Sequence, residues 1–395
     1  MTPTRSLLAL FATLAIVAAP RPAAAAAAPA FDRAAWKADF ERIKRGLAQG
    51  YSNLDWQVDH RGFNLARADQ QISAMLDQAT GDAQATLALA RLVQAFDDPH
   101  LQLLPGGPPD SATLLPRQSD VAGPAAATDA CAAKGGKRAG RLAYASAPGW
   151  REIGDGPFLA GLIGKTGIIR VPSFGEDSYP DICQQVAKPE MDARNVQLAV
   201  RAELNRRLAA LIERMRREGM TQLVIDVTGN GGGSEWSSEM AAMFAAGPLK
   251  RTAPRMANPA CDRTAVWRGE RPCSIYAGPP EIEEIAGTGQ WTGPLAIFAD
   301  NRSASATEEF MTWLRGNDRA RIAGQRSFGA GCGYVDGGHA IALRAAPLHI
   351  MMPNCSRFTG EGVNEIEGIE PDVPVDWSSI KPADYPPLLI RLFSR

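Results

Sequence analysis

Apolar residues recur every three or four positions in three early segments. Trp36, Phe40, Ile43 and Leu47 share one helical face, with Asp32 placed as an N-cap. Ile72, Met75, Leu76 and Ala79 share a second face, and Leu89, Leu92, Val93 and Phe96 a third. These faces predict a small helical domain over residues 31–100. From Thr166 the pattern changes. Residues 167–172 read as a strand, and Leu204, Leu208, Leu211, Ile212 and Met215 line a helix that stops at Gly219. A strand over 221–227, a helix around Met240, an apolar run over 294–299, a helix over 309–314, a short strand over 321–323 and a β segment over 340–352 complete the expected core. Strand–helix alternation predicts an α/β domain with a parallel-rich sheet.

The segments outside these patterns set the domain plan. Residues 104–150 are rich in Pro, Gly, Ala and Ser and show little periodicity, so they read as loop with one or two strands. The first residues combine a positive start, an apolar stretch over 7–19 and an alanine run with Ala-x-Ala sites near Ala26 and Ala28. That is the pattern of a secretory signal peptide, and the stretch is too short to span a bilayer. The expected plan is a signal peptide over 1–28, the helical domain over 31–100, a loop-rich linker over 101–165, a core over 166–378 with an arm around 249–293, and a tail over 379–395.

Charge and cysteine usage narrow the partners. A net charge of −1 argues against nucleic acid or acidic membranes. No later segment has the length of a membrane span. Six cysteines, all beyond the leader, predict disulfides in an exported protein, periplasmic or secreted. Sequential pairing is expected: Cys131–Cys183, Cys261–Cys273 and Cys332–Cys355, the middle pair closing a short loop in the arm. None of the six has metal-ligand spacing, so no metal site is expected.

Two strand-to-helix junctions carry candidate chemistry. Asn301-Arg302-Ser303-Ala304-Ser305-Ala306-Thr307-Glu308 follows the apolar run over 294–299 and leads into a helix. N–H groups that open a helix are unpaired and positively polarised, so a serine oxygen there can attack a carbonyl while those N–H groups hold the oxyanion. Helix capping is the plainer use of such a serine. Thr228-Gly229-Asn230-Gly231-Gly232-Gly233 follows the strand over 221–227. Its glycines let the backbone approach a ligand closely, and a phosphate loop is disfavoured because the Gly-Lys-Ser/Thr signature is missing.

Together with Ser327-Phe328-Gly329-Ala330-Gly331 and Gly368-Ile369-Glu370-Pro371-Asp372, these motifs resemble, in order, those of the carboxyl-terminal-processing (tail-specific) serine peptidases, whose relatives include the tricorn core protease and the photoreceptor retinoid-binding protein. The resemblance implies a ClpP/crotonase-like spiral core of ββα units. It places the nucleophile at Ser305, with Ser303 as the weaker candidate, and an oxyanion hole at the N–H groups of Gly232 and Ala306, Gly231 being close by. It implies a peptide or protein substrate and no cofactor. Two departures stand out. The family lysine that serves as general base is Ala330 here, and no lysine lies between Lys250 and Lys381. No PDZ-like pattern is found near residues 104–150.

With the lysine gone, a histidine is the expected base, since imidazole titrates near working pH. The chain has four: His60, His100, His339 and His349. Tricorn-like relatives carry a similar Asp-x-His segment ahead of the core, which assigns the base to His100 in Asp98-Pro99-His100, with His339 as runner-up. The resemblance gives Glu365 as the third member that orients the imidazole, with Glu367 as the alternative. The expected function is an exported serine hydrolase cleaving peptide bonds. The alternative is a non-catalytic ligand- or peptide-binding protein on the same fold. A crotonase-type acyl-CoA enzyme is disfavoured by the leader, because CoA substrates are cytoplasmic.

Overall fold

The computed structural model describes residues 30–107, 131, 142–154, 156–258, 260–335 and 338–394. The predicted leader and most of the Pro/Gly-rich stretch over 104–150 lie outside the described residues. No helix among the described residues is long and apolar enough to cross a membrane.

Four helices come first: α1 (Arg33–Gly50), α2 (Leu54–Asp59), α3 (Leu65–Gln78) and α4 (Asp82–Ala95). Asp32 caps α1 by accepting from the Ala35 N–H at 3.0 Å. The predicted apolar faces of α1, α3 and α4 turn inward, but the helices do not close their own core. Val266 and Trp267 from the arm, and Ile341, Leu343, Ile350 and Met352 from the C-terminal β segment, complete it.

After β1 (Gln102–Pro105), the chain runs through β2 (Arg151–Glu152), β3 (Ala160–Ile163), β4 (Thr166–Arg170), the helices α5 (Pro180–Val186) and α6 (Ala193–Arg217), then β5 (Gln222–Asp226) and α7 (Trp236–Ala242). The arm holds β6 (Leu249–Thr252), β7 (Arg255–Met256) and β8 (Ile282–Ile285). Next come β9 (Leu295–Ala299), α8 (Ala306–Arg315), β10 (Arg321–Gly324), β11 (His339–Ala342), β12 (Leu348–Met352), β13 (Cys355–Ser356), β14 (Val373–Pro374) and α9 (Tyr385–Phe393).

The main sheet has the order β14-β10-β9-β5-β4-β3-β2. β4, β5, β9, β10 and β14 are parallel neighbours, and β3 and β2 add an antiparallel edge. Alternate residues of these strands feed two different cores, so the strands read as continuous apolar runs. Ile169, Leu223, Ile225, Ile297 and Ile322 face α6, α7 and α8. Ile168, Val224, Ala296, Phe298 and Ala323 face α9 and Tyr144. The mixed α/β architecture with its helical N-terminal region agrees with the expected fold class.

The β segment expected over 340–352 lies apart from the main sheet. It folds into the hairpin β11–β12, which pairs with β1 in a separate three-stranded sheet under the helical layer. The reason is apolar burial: its inward residues fill the gap that α1, α3 and α4 leave open.

The cysteines pair as expected, Cys131–Cys183, Cys261–Cys273 and Cys332–Cys355.

Candidate active site

β5 and β9 are adjacent and parallel, with Asp226 level with Phe298. Both candidate turns therefore leave the same edge of the sheet, at the carboxyl ends of its strands, where α/β sheets present ligand sites.

The turn after β5 is fixed from below by a buried polar cluster. Asp226 is fully buried and accepts from Arg170 (2.7 Å), Tyr144 (2.8 Å), and the N–H (2.9 Å) and hydroxyl (2.7 Å) of Thr228. Arg170 also donates to the Thr228 carbonyl at 3.0 Å. Burial and the Asp226 charge push the Tyr144 phenol far above its ordinary range, so it stays a donor.

The turn after β9 is fixed by Ser303. Its wholly buried hydroxyl donates to the Val227 carbonyl at 2.9 Å and accepts from the Asp300 N–H at 3.0 Å. This side chain ties the two turns together and is committed to doing so. Ser305, two residues on, occupies the N-cap position of α8 with φ 57° and ψ −118°. That conformation is strained for a non-glycine residue, unlike the extended backbone of an ordinary cap. Strain of this kind marks a serine turned out of a strand–helix elbow.

Gly232 packs directly on this elbow. It has φ 102°, and a Cβ there would lie 2.8 Å from the Ser305 Cβ and 2.9 Å from the Ala306 nitrogen. Only glycine admits so close an approach. The two predicted oxyanion donors are thus adjacent. Ala306 opens α8, where an N–H lacks an intrahelical acceptor. The Gly232 N–H, in contrast, donates to Asn230 Oδ1 at 2.9 Å.

Glu308, in the first turn of α8, is fully buried and collects five donors. Its Oε2 accepts the N–H groups of Ser305 (2.9 Å), Ala330 (3.0 Å) and Gly331 (2.9 Å). Its Oε1 accepts the Gly329 N–H (2.8 Å) and the Ser327 hydroxyl (2.6 Å). Burial raises its pKa above the ordinary carboxylate value, against the pull of these donors.

His100 comes to this loop from the helical layer. Its Nδ1 lies 3.0 Å from the Ala330 carbonyl oxygen. A carbonyl only accepts, so Nδ1 carries the proton and Nε2 presents a lone pair. Below the ring, Asp98 accepts the His100 N–H at 3.0 Å, the Tyr51 hydroxyl at 2.9 Å and the Asn53 amide at 3.1 Å. Tyr334 donates to the His100 carbonyl and meets the ring edge-on at 5.3 Å. Burial lowers the imidazole pKa below 6.5, and Asp98 and the Ala330 bond oppose that shift. Residue 330, a lysine in the family pattern, thus meets His100 through its backbone carbonyl.

Glu365 does not hold the imidazole directly. It is fully buried, its Oε1 takes the Thr312 hydroxyl at 2.9 Å and its Oε2 the Arg357 Nε–H at 2.7 Å. Both oxygens are engaged away from His100, whose Nδ1 goes to the carbonyl instead. Arg357 also reaches Glu309 Oε2 (3.1 Å) and the Ser305 carbonyl (3.4 Å), so Glu365 touches the elbow through a guanidinium. Glu367 accepts from Trp56 and Arg61, both at 2.7 Å, and ties the core to the helical layer. His339 lies in β11, where a Cβ on Gly50 would meet its ring. His349 lies buried in β12 with Nδ1 3.1 Å from the Gly106 carbonyl, and His60 stacks on Trp56. Sequence reasoning gave no role to Glu308, Arg357 or Asp98, although Glu308 and Asp98 stand inside its own motifs.

Residues 165–375 match the profile of Peptidase family S41. No curated protein sequence matches the chain. Among solved structures, mature CPAF complexed with lactacystin is similar at a TM-score of 0.62 and 15% identity, covering 90% of this chain and 97% of its own. Mature CPAF gives 0.61 at 14% identity, covering 90% and 95%. A candidate peptidase from Parabacteroides merdae ATCC 43184 gives 0.59 at 13%, covering 91% and 97%. Identities this low establish likeness of fold alone. The family profile spans more than half of the 395 residues, and the chain belongs to peptidase family S41.

Proposed function

We propose that the chain is an exported serine peptidase that works through an acyl-enzyme on Ser305, with His100 as its base. The leader pattern and the three disulfides support export to the periplasm or medium. In this reading, His100 Nε2 takes the Ser305 hydroxyl proton as Oγ attacks the scissile carbonyl. Negative charge on the former carbonyl oxygen develops at the start of α8, against the Ala306 N–H and the helix dipole. Gly232 supplies the second donor once its N–H leaves Asn230 Oδ1 for the oxyanion. The imidazolium then protonates the leaving amine, and water enters by the reverse sequence to free Ser305. Glu365 supports the elbow through Arg357.

The observation that carries this reading is the bond from His100 Nδ1 to the Ala330 carbonyl. It selects the tautomer a general base needs, at the position where the family pattern has lost its lysine. A fluorophosphonate probe on the purified mature protein tests it. Labelling is expected on Ser305, found by peptide mapping, and much slower labelling in His100→Ala. A protein inert to probe and to peptide substrates would instead favour the non-catalytic binding reading.

A further inference from the structure

We infer that Glu308 is the positioning residue that sets nucleophile and base in one register, by gripping the Ser305 N–H and the peptide that presents the Ala330 carbonyl to His100. The inference rests on the reading of Ser305 and His100 given above. It begins with the peptide between Ala330 and Gly331. The N–H of that peptide belongs to Gly331 and donates to Glu308 Oε2 at 2.9 Å. Its carbonyl belongs to Ala330 and holds His100 Nδ1 at 3.0 Å. In a trans peptide the N–H and C=O point in opposite directions. Fixing the N–H on Glu308 therefore aims the carbonyl away from Glu308 and at the imidazole. The same Oε2 holds the N–H of Ser305 at 2.9 Å, so one oxygen atom is common to the elbow and to the loop that orients the base.

The chemistry of the five partners shows what the site demands. All five donate to the carboxylate: four backbone N–H groups and the Ser327 hydroxyl, which itself accepts the Ile369 N–H at 2.7 Å. An arrangement made of donors calls for an acceptor at both oxygens, which an ionised carboxylate is and an amide is not. Glu308 stands in the first turn of α8, so the grip is anchored on the helix that starts at the nucleophile. A purely capping role would need only the Ser305 bond. The four bonds to residues 327–331 lie outside any capping motif.

The test uses Glu308→Gln and Glu308→Asp in the full mature protein. Selective 15N-histidine labelling is workable with four histidines, and reports the tautomer of His100 without relying on turnover. In the wild type at neutral pH, His100 is expected as the neutral Nδ1–H form. Glu308→Gln puts an NH2 group against donors, so the loop departs. His100 is expected to lose that single tautomer, and kcat to fall about 100-fold with KM within about twofold. Glu308→Asp keeps the charge but withdraws it by one methylene. The Nδ1–H form should survive, with a kcat loss of about tenfold. Should the Gln variant not fold, the Asp variant decides: wild-type kcat together with wild-type histidine signals overturns the inference. So does a folded Gln variant that keeps the wild-type tautomer. A wild type without hydrolytic activity whose Nδ1–H signal is still lost in Glu308→Gln would sink the peptidase reading and leave the positioning role standing.

Discussion

The carbonyl oxygen of Ala330 lies 3.0 Å from Nδ1 of His100. The position that holds a catalytic lysine in the family pattern thus contributes a backbone atom instead, and that atom fixes which imidazole nitrogen is free.

Restoring the lysine should therefore not restore a lost mechanism. Ala330 is almost fully buried. Ala330→Lys overpacks the loop, which alone costs about 1–3 kcal/mol, and brings in a charge that must be desolvated. An ammonium near His100 would also oppose formation of the imidazolium. The variant is expected to show a lower Tm and no gain in kcat/KM. Increased activity, with the pH limb moved to higher pH, would mean that a Ser–Lys dyad had been recovered.

The pH dependence follows from the lowered His100 pKa. Hydrolysis should rise with pH through one ionisation whose midpoint lies below the ordinary 6.5, then level off. Asp98 opposes the lowering, so Asp98→Asn should move the limb further toward acid. The same shift bears on stability. The unfolded chain binds this proton more readily than the folded one, so stability falls as pH drops from about 6.5 through the folded value. A kcat/KM profile for wild type and Asp98→Asn checks both directions, and a limb above 6.5 would contradict them.

Gly333 offers a steric test. A Cβ there would come within 2.7 Å of His100 Nε2. Gly333→Ala should displace the ring while leaving the buried cores intact. A fall in kcat of about 100-fold with little change in Tm is expected, since small misplacements of catalytic groups carry such penalties. Full activity in Gly333→Ala would mean that the ring position does not matter to the rate.

The motif's two serines should separate cleanly. Ser303→Ala leaves the buried Asp300 N–H without a partner, at about 1–3 kcal/mol, and leaves the Val227 carbonyl with the Asn230 N–H alone. Its signature is reduced stability with residual hydrolysis. Ser305→Ala should abolish hydrolysis and relieve no comparable bond. Thermal unfolding and turnover of both variants read the difference.

Much of this arrangement was legible in the sequence. The faces of α1, α3 and α4 and the apolar runs of β4, β5 and β9 follow directly from apolar spacing. Ser305 was placed at a strand–helix junction by its flanking segments, and the pairing of Cys332 with Cys355 by chain order. The remainder depends on backbone atoms, which leave no side-chain signature. His100 is oriented by a carbonyl, whereas the resemblance implies an acidic partner, Glu365, whose charge is taken up by Arg357. Four of the five donors on Glu308 are peptide N–H groups, invisible to motif spacing. The hairpin β11–β12 shows a third limit: alternation states that Ile341 and Ile350 face a core, not which core.

The account turns on His100 serving Ser305 as its base. The most direct measurement is hydrolysis of an unstructured protein by wild type, Ser305→Ala, His100→Ala and the double variant, with folding confirmed by circular dichroism. Each single variant should lose nearly all activity, and the double variant should be little worse than either, because members of such a unit act together. Wild-type activity in a folded His100→Ala variant would contradict the assignment.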